Sequence, residues 1–409
     1  YSIKVKVVDT LGKESNVYSL SVTTDAYILP KVTNVSTSST TSSITINVSA
    51  SGGTGNVVKY YYSKDNGSNY VESTSNSYTF SNLTSDATFY VKVYVKDSNN
   101  RESSVSSTSI KTKSNVKLYN YIKSKYTSQG SNGLYYHDSS LTNGANDNSY
   151  RYAGANPNNY VCFGTNESMC PTDNLYRIIG VFGDNVKLIK SDYANSNLLG
   201  TDGDYSTDTF TKSSSSLYKG ELTIINRYKW NNSTQKNTWS ESNLNKVNLN
   251  TNYLNNIGTI WSNLIENTTW KVSGHTNERV TPKEMYTAEI TNATKTYGPE
   301  NGTSKIGLMY VSDYGFAAAP SAWAFQLYYY ENSSITPVNW MYMGLSDWTI
   351  TPYSSNSYDV FNASGNGNGG LGTIKAYYGH FVRPVLYLKA SVAYAGGSGT
   401  KDSPITLVV

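Results

Sequence analysis

The sequence predicts a multidomain chain: an all-β sandwich followed by a larger α+β domain. Three observations predict it. A segment with the period-two alternation of strands recurs at an offset of 88 residues. That alternation stops at about Val116. Beyond it, short helical spacings give way to Tyr-, Trp- and Gly-rich loops and a closing apolar run, "GHFVRPVLYL".

Residues 1–24 align without a gap to 89–112, and 10 of the 24 positions are identical. Tyr1, Ile3, Val5 and Val7 match Phe89, Val91, Val93 and Val95, which describes strands with one buried face. A repeat of this length is the size of one β-sandwich. Residues 27–114 hold a full copy. Residues 1–26 hold only the last two strands of a preceding one. A two-stranded remnant is marginal alone, so it is expected to be a truncated copy, to pack on its neighbour, or to self-associate with another chain.

Within the full copy, Ile44, Ile46 and Val48 alternate. "VVKYYYS" leads into Asn66-Gly67, favoured residues of a tight hairpin turn, and Tyr60, Tyr61 and Tyr62 read as strand residues. Leu83 stands six residues before Phe89. That spacing resembles the fibronectin type III pattern, in which a Leu precedes a Tyr. With Phe89 the tyrosine hydroxyl is missing, so another immunoglobulin-like sandwich fits as well. The resemblance implies a spacer module.

Residues 115–409 form the second domain. "KLYNYIKSKY" spaces Leu118, Tyr121, Ile122 and Tyr126 as a short helix does. "YRIIGVFGDNVKLIKSDY" predicts a hairpin turning at Gly183-Asp184-Asn185. In "WSESNLNKVNLNTNYLNNIG" a helix is expected, with Ser240 capping its start, Leu244, Val247, Leu254 and Ile257 on one face, and Gly258 stopping it. "IWSNLIENTTW" adds a further turn or two.

Trp348-Thr349, Tyr358-Asp359-Val360, Gly365 to Gly370 and Val382-Arg383-Pro384-Val385 together resemble the tail of bacterial C-type-lectin-like domains, including the branch related to formylglycine-generating enzymes. "YVCFG", "VKLIK" and "KIGLMYVSDYGFAA" are similar to segments of surface proteins of low-GC Gram-positive gut bacteria. The resemblance covers most of 116–409 and implies a C-type-lectin-like fold. The Glu-Pro-Asn, Gln-Pro-Asp and Trp-Asn-Asp motifs of sugar-binding lectins do not occur; "TPVNW" and "GPEN" only approach them. The reactive cysteine pair that formylglycine-generating enzymes carry late in the domain is also missing.

Arg383 inside an apolar strand requires a partner for its guanidinium. It is expected to clamp backbone carbonyls or an acid such as Asp359. Trp340 and Trp348 are expected in the core.

Charged residues make up 15% of the chain, against roughly 25% in typical globular proteins. The net charge is +4, with no basic stripe for nucleic acid. No apolar run reaches membrane-spanning length. The 38 tyrosines, set among Asn, Ser and Thr, suit an uncharged recognition surface; low-GC codon bias explains them equally. Cys162 and Cys170 are the two cysteines. In an exported chain they point to a disulfide, with reduced thiols as the alternative. The three histidines, His137, His275 and His380, are scattered and match no zinc motif. Asp202, Asp204 and Asp208 in "TDGDYSTD" are the weak candidates for a metal, calcium by the chemistry of their oxygens.

Together these readings predict an extracellular bacterial cell-surface adhesin, anchored from its N-terminal side, with no catalytic residues and no cofactor. Immunoglobulin-like spacers would present a lectin-like domain to a glycan or protein of a host or neighbouring cell, a layout similar to that of invasin- and intimin-type adhesins. Its binding surface would draw on Tyr314, Trp323, Tyr328, Tyr329 and Tyr330, on Tyr353, Tyr377 and Tyr378, and on Asp313 and Asn339 as polar partners. The alternatives are a structural subunit of a surface fibre or pilus-like assembly and a glycan-active enzyme on the same scaffold.

Overall fold

The computed structural model describes residues 1–293, 300–363 and 367–408. The chain divides into two compact units, Tyr1–Asn115 and Val116–Val409.

In the first unit, Lys31–Ser39, Ile44–Ser51 and Ser77–Phe80 form one antiparallel sheet. Val71–Ser73, Val57–Ser63, Thr88–Asp97 and Ser106–Lys111 form a second. The period-two pattern decides what fills the space between them. Ile44, Ile46 and Val48 from one sheet meet Tyr62, Val91, Val93 and Val95 from the other, all buried. Leu83 and Phe89 are partly buried against this core. This is a β-sandwich of the fibronectin type III or immunoglobulin-like kind. In the tyrosine triple, Tyr62 is in the core, while Tyr61 lies on the opposite face and stacks on Tyr94 at 4.5 Å. The Asn66-Gly67 turn is wider than a two-residue hairpin. Tyr62 pairs with Val71, and Asp65 organises the loop by accepting from the Asn69 backbone and side-chain amides at 2.9 and 2.6 Å.

Residues 1–22 form a separate hairpin, Ser2–Val5 against Tyr18–Ser21. All its side chains are exposed, including Ile3, Val5, Val7 and Leu20.

The second unit combines several small sheets with short helical segments. Its largest sheet is antiparallel, in the order Leu134–Tyr136, Tyr150–Tyr152, Leu175–Phe182, Asn185–Lys190, Val385–Leu388 and Ile306–Gly307, with Tyr160–Cys162 also paired to Leu175–Phe182. The predicted hairpin is present, with Gly183 in the left-handed region at φ 61°. Leu175 to Val181 are all buried, as a central strand covered on both faces requires. Gly180 sits at a register shift where a Cβ would lie 2.3 Å from the Tyr150 carbonyl oxygen, so the neighbouring strand can approach only a glycine. The helix Leu118–Lys123 buries Leu118 and Ile122.

The Asn-rich helical stretch departs from expectation in three ways. Leu244–Tyr253 is π-helical, and its wider turn brings Leu244, Leu249 and Tyr253 to the core while Val247 and Leu254 are half-buried. Its start is capped by Asp204 rather than by Ser240, with Oδ2 accepting from the Asn243 and Leu244 N–H groups at 2.9 and 3.0 Å. Gly258 (φ 81°, ψ 162°) interrupts the following segment Leu254–Ser262 without ending it.

Asp347–Pro352, Asp359–Ala363 and Gly372–Lys375 make a three-stranded sheet whose first strand is wholly buried. Trp348 and Trp340 lie in the core, as expected. Their indole N–H groups donate to the Tyr228 and Tyr152 carbonyls at 2.7 and 2.8 Å. Of the glycine-rich run, Gly365 and Asn366 lie outside the described residues, as do Gly298 and Pro299 of "GPEN".

Candidate ligand-binding site

Burial separates the candidate residues into two groups. An interior polar side chain must find a partner or lose several kcal/mol, and five of the candidates meet that need within the fold. Asp313 accepts from Lys187 Nζ at 2.5 Å and from the Tyr310 N–H at 2.9 Å, and its other oxygen lies 3.5 Å from Arg151. Arg151 in turn binds Asp147 at 2.5 Å. The Tyr314 hydroxyl donates to the Gly369 carbonyl at 2.7 Å, and Asn339 Nδ2 donates to the Tyr314 carbonyl at 3.2 Å. Trp323 is fully buried against Phe316 and His137, and its N–H donates to the Ala318 carbonyl at 2.9 Å. Tyr330 is fully buried and donates to the Gly315 and Ala322 carbonyls. These five are therefore corrected from a loop surface to the interior.

Arg383 has the buried partner its position demands, but the acid is Asp347, not Asp359. Nε lies 2.8 Å from Oδ2, Nη2 bonds the same oxygen, and Nη2 also donates to the Met341 carbonyl at 2.8 Å. Asp359 accepts from Asn356 Nδ2 at 2.7 Å. Burial pushes the Asp347 carboxyl up to about 6 against the pull of Arg383. Burial also raises Glu289 to about 7. This residue caps the helix Val311–Phe316, accepting from the Val311 and Ser312 N–H groups and from the Thr351 hydroxyl.

The three calcium candidates are not brought together. Besides capping, Asp204 accepts from the Asn232 N–H at 3.2 Å. Asp202 accepts from Asn252 at 2.6 Å and Asp208 from Ser206 at 3.5 Å. Cys162 and Cys170 form a disulfide. It lines an open cleft of about 600 Å³ together with Met169, Lys401 and Pro404, among others.

The remaining candidates are at the surface, in separate groups. Tyr328 and Tyr329 lie in the 3-10 turn Leu327–Glu331 rather than in a strand. The Arg279 guanidinium stacks 4.3 Å over the Tyr328 ring and donates to the Tyr329 hydroxyl at 2.9 Å. Tyr329 remains 43% exposed. Tyr377 and Tyr378 are neighbours at 5.1 Å, on the segment that also holds Lys375, whose ammonium lies 3.9 Å over the exposed Tyr358 ring. Tyr353 is half-buried and packs edge-on against Phe361 at 5.4 Å.

A second cleft, of about 340 Å³, is lined by Arg227, His380, Phe210, Phe381, Ser214 and Ser215, among others. Arg227 and His380 come together because Ile224–Lys229 pairs with Gly379–His380. Sequence reading missed both. Arg227 sits in "IINRYK", whose apolar spacing carries no mark of a site, and the pairing that brings in His380 spans about 150 residues of chain.

No protein-family model matches the chain, and no curated protein matches it. Among solved structures it is similar to the PKD1 domain of Epp from Vibrio anguillarum (16% identity, 22% of this chain and 99% of that one, TM-score 0.19). It is also similar to the PKD1 domain of the Vibrio cholerae metalloprotease PrtV (23% identity, 21% and 100%, TM-score 0.18), and to the fn3 domain of the human collagen alpha-1(XX) chain (16% identity, 23% and 93%, TM-score 0.19). The strand pairing of residues 31–111 itself carries the sandwich assignment.

Proposed function

We propose that this chain is a non-catalytic recognition protein of a bacterial cell surface. In this reading sandwich modules act as spacers for a C-terminal lectin-like domain that binds a glycan or a host protein. The observation that carries it is the exposed ridge of Arg279, Tyr328 and Tyr329. Arg279 lies over the Tyr328 ring and bonds the Tyr329 hydroxyl, and the two rings meet edge-on at 5.2 Å, so little rotamer freedom remains to be lost on binding. Aromatic rings and arginine are the side chains that dominate binding surfaces. The disulfide suits an oxidising, extracellular compartment. The strongly shifted carboxyls are engaged structurally, Glu289 at a helix start and Asp347 with Arg383, which favours binding over catalysis.

The test is binding of the full chain to a broad glycan array and to host matrix proteins, with calcium and with EDTA. Saturable binding that drops in Tyr329→Ala supports the reading. Silence on both panels from a folded sample counts against it.

A second reading, a subunit of a surface fibre, is favoured by the uncovered Ile3, Val5, Val7 and Leu20 of the first hairpin. Light scattering after size exclusion separates the two, since a monomer at high concentration opposes assembly.

A further inference from the structure

We infer that the cleft between Arg227 and His380 binds the carboxylate of an acidic sugar unit, such as a uronate or sialate residue. This deepens the recognition reading above and rests on it. Four observations point to that ligand class.

The first is an uncompensated cation. The half-buried Arg227 guanidinium lies 5.4 Å from the centre of the Phe381 ring and 5.9 Å from that of Phe210, and makes no ion pair among the described residues. Asp208 lies on the facing strand, where the register breaks between Tyr205 and Thr209, yet its oxygen takes Ser206 instead. A guanidinium beside aromatic rings and without an acidic partner keeps its planar donor fork, which matches a carboxylate in bidentate fashion.

The second is a buried atom left wanting. His380 Nε2 has no hydrogen-bond partner, while the imidazole is wedged edge-on against Trp348 at 4.8 Å. Burial and the neighbouring Arg227 hold this histidine down at about 4. It is therefore neutral, and Nε2 is the ring nitrogen left to pair with a sugar hydroxyl.

The third is chemistry suited to a sugar ring rather than to a bare anion. Ser214 and Ser215, bonded to the Thr211 hydroxyl and the Leu217 N–H, line the cleft with hydroxyls, and Phe210 lines it with an apolar ring. A volume of about 340 Å³ lies at the small end of ligand pockets, and accommodates a single sugar unit rather than an extended chain.

The fourth is a preformed wall. A Cβ on Gly344 would lie 1.7 Å from the Leu217 carbonyl oxygen, and one on Gly367 would lie 2.8 Å from the Gly344 carbonyl oxygen. These segments can close on each other only because both positions are glycine.

The chain's three histidines make the test direct. Imidazole proton signals of the full chain are followed by NMR, with His380→Gln assigning the His380 signal. The probes are galacturonic acid, N-acetylneuraminic acid, neutral galactose and sodium sulfate. The expected result is a saturable His380 shift with one or both sugar acids and none with galactose. Arg227→Gln should weaken that binding about tenfold or more, as loss of a charge-assisted bidentate contact does, and Arg227→Lys should retain part of it. Circular dichroism checks that each variant is folded. Absence of a His380 shift with either sugar acid overturns the inference, as does binding unchanged in Arg227→Gln. An equal response to sulfate also overturns it, because the cleft would then hold any small anion. None of these outcomes bears on Tyr329-dependent binding in the array, so the inference can fail while the recognition reading stands. Loss of array binding alone would remove the reading.

Discussion

Lys187 and Asp313 form an ion pair of 2.5 Å with both side chains almost wholly buried. The Lys187 ammonium also lies 4.5 Å over the Tyr310 ring and 5.2 Å over that of Tyr387. Burial works against its charge, but Asp313 and Tyr387 together more than offset this and hold the lysine above its ordinary value. Asp313 answers two buried cations, since Arg151 faces its other oxygen.

Asp313→Ala should therefore be among the most damaging substitutions in the second unit, costing about 3–5 kcal/mol by stranding buried charge. Lys187→Met should cost less, because Asp313 keeps Arg151 and the methionine fits an aromatic surround. Urea denaturation of both variants checks the order, and a larger loss in Lys187→Met would refute this account of the pair.

Glu289 predicts a pH dependence. Its folded value of about 7 stands above the ordinary 4.5, so between those values the native state binds more protons than the unfolded state. The contribution of Glu289 to stability is thus greatest at low pH and is lost as pH rises through that window, by up to about 3 kcal/mol. Asp347 is shifted in the same direction, so the quantity to read is the difference between wild type and Glu289→Gln in thermal melts at pH 4.5 to 8, a range that spans the window. Parallel curves would rule the effect out.

Adjacent tyrosines should behave oppositely. Tyr330→Ala removes a fully buried ring and should cost about 3–5 kcal/mol. Tyr329→Ala should change stability by less than about 0.5 kcal/mol while reducing ligand binding. Melting curves and the array measure the two effects on the same pair of proteins.

Asp204 gives a test against calcium in "TDGDYSTD". Asp204→Ala should destabilise by about 1–2 kcal/mol through loss of a helix cap. Melting temperatures of the wild type should be equal in calcium and in EDTA. A calcium-dependent rise that Asp204→Ala abolishes would restore the metal reading.

Reduction of Cys162–Cys170 should cost about 2–3 kcal/mol, as loop-entropy arguments give for so short a ring. Denaturation of a Cys162→Ser/Cys170→Ser variant against the oxidised wild type measures it, and an unchanged midpoint would show the bond to be dispensable.

Local pattern made much of this legible in advance. Ile44, Ile46, Val91, Val93 and Val95 enter the sandwich core because alternation alone places them on one face. Gly183 turns the hairpin, and Leu118 and Ile122 define a helix face. Two cysteines in a chain read as exported pointed to the disulfide that is present, with reduced thiols as the alternative. The need for Arg383 to have a partner was equally legible, since an unpaired guanidinium in an apolar strand is too costly.

The sequence by itself determined which segments alternate, where they turn, and that certain interior polar groups must be satisfied. Tertiary structure alone decided by whom. Asp347 rather than Asp359 answers Arg383, Asp204 caps a helix instead of joining a metal site, Asp313 turns inward between Lys187 and Arg151, and Arg227 meets His380 across strands far apart in the chain. The physical reason is range. Periodicity and turn chemistry act over a few residues and leave a local mark, whereas the pairing of buried charges depends on which strands become neighbours. In residues 116–409 that choice is made by long loops and short strands whose local patterns are compatible with many partners.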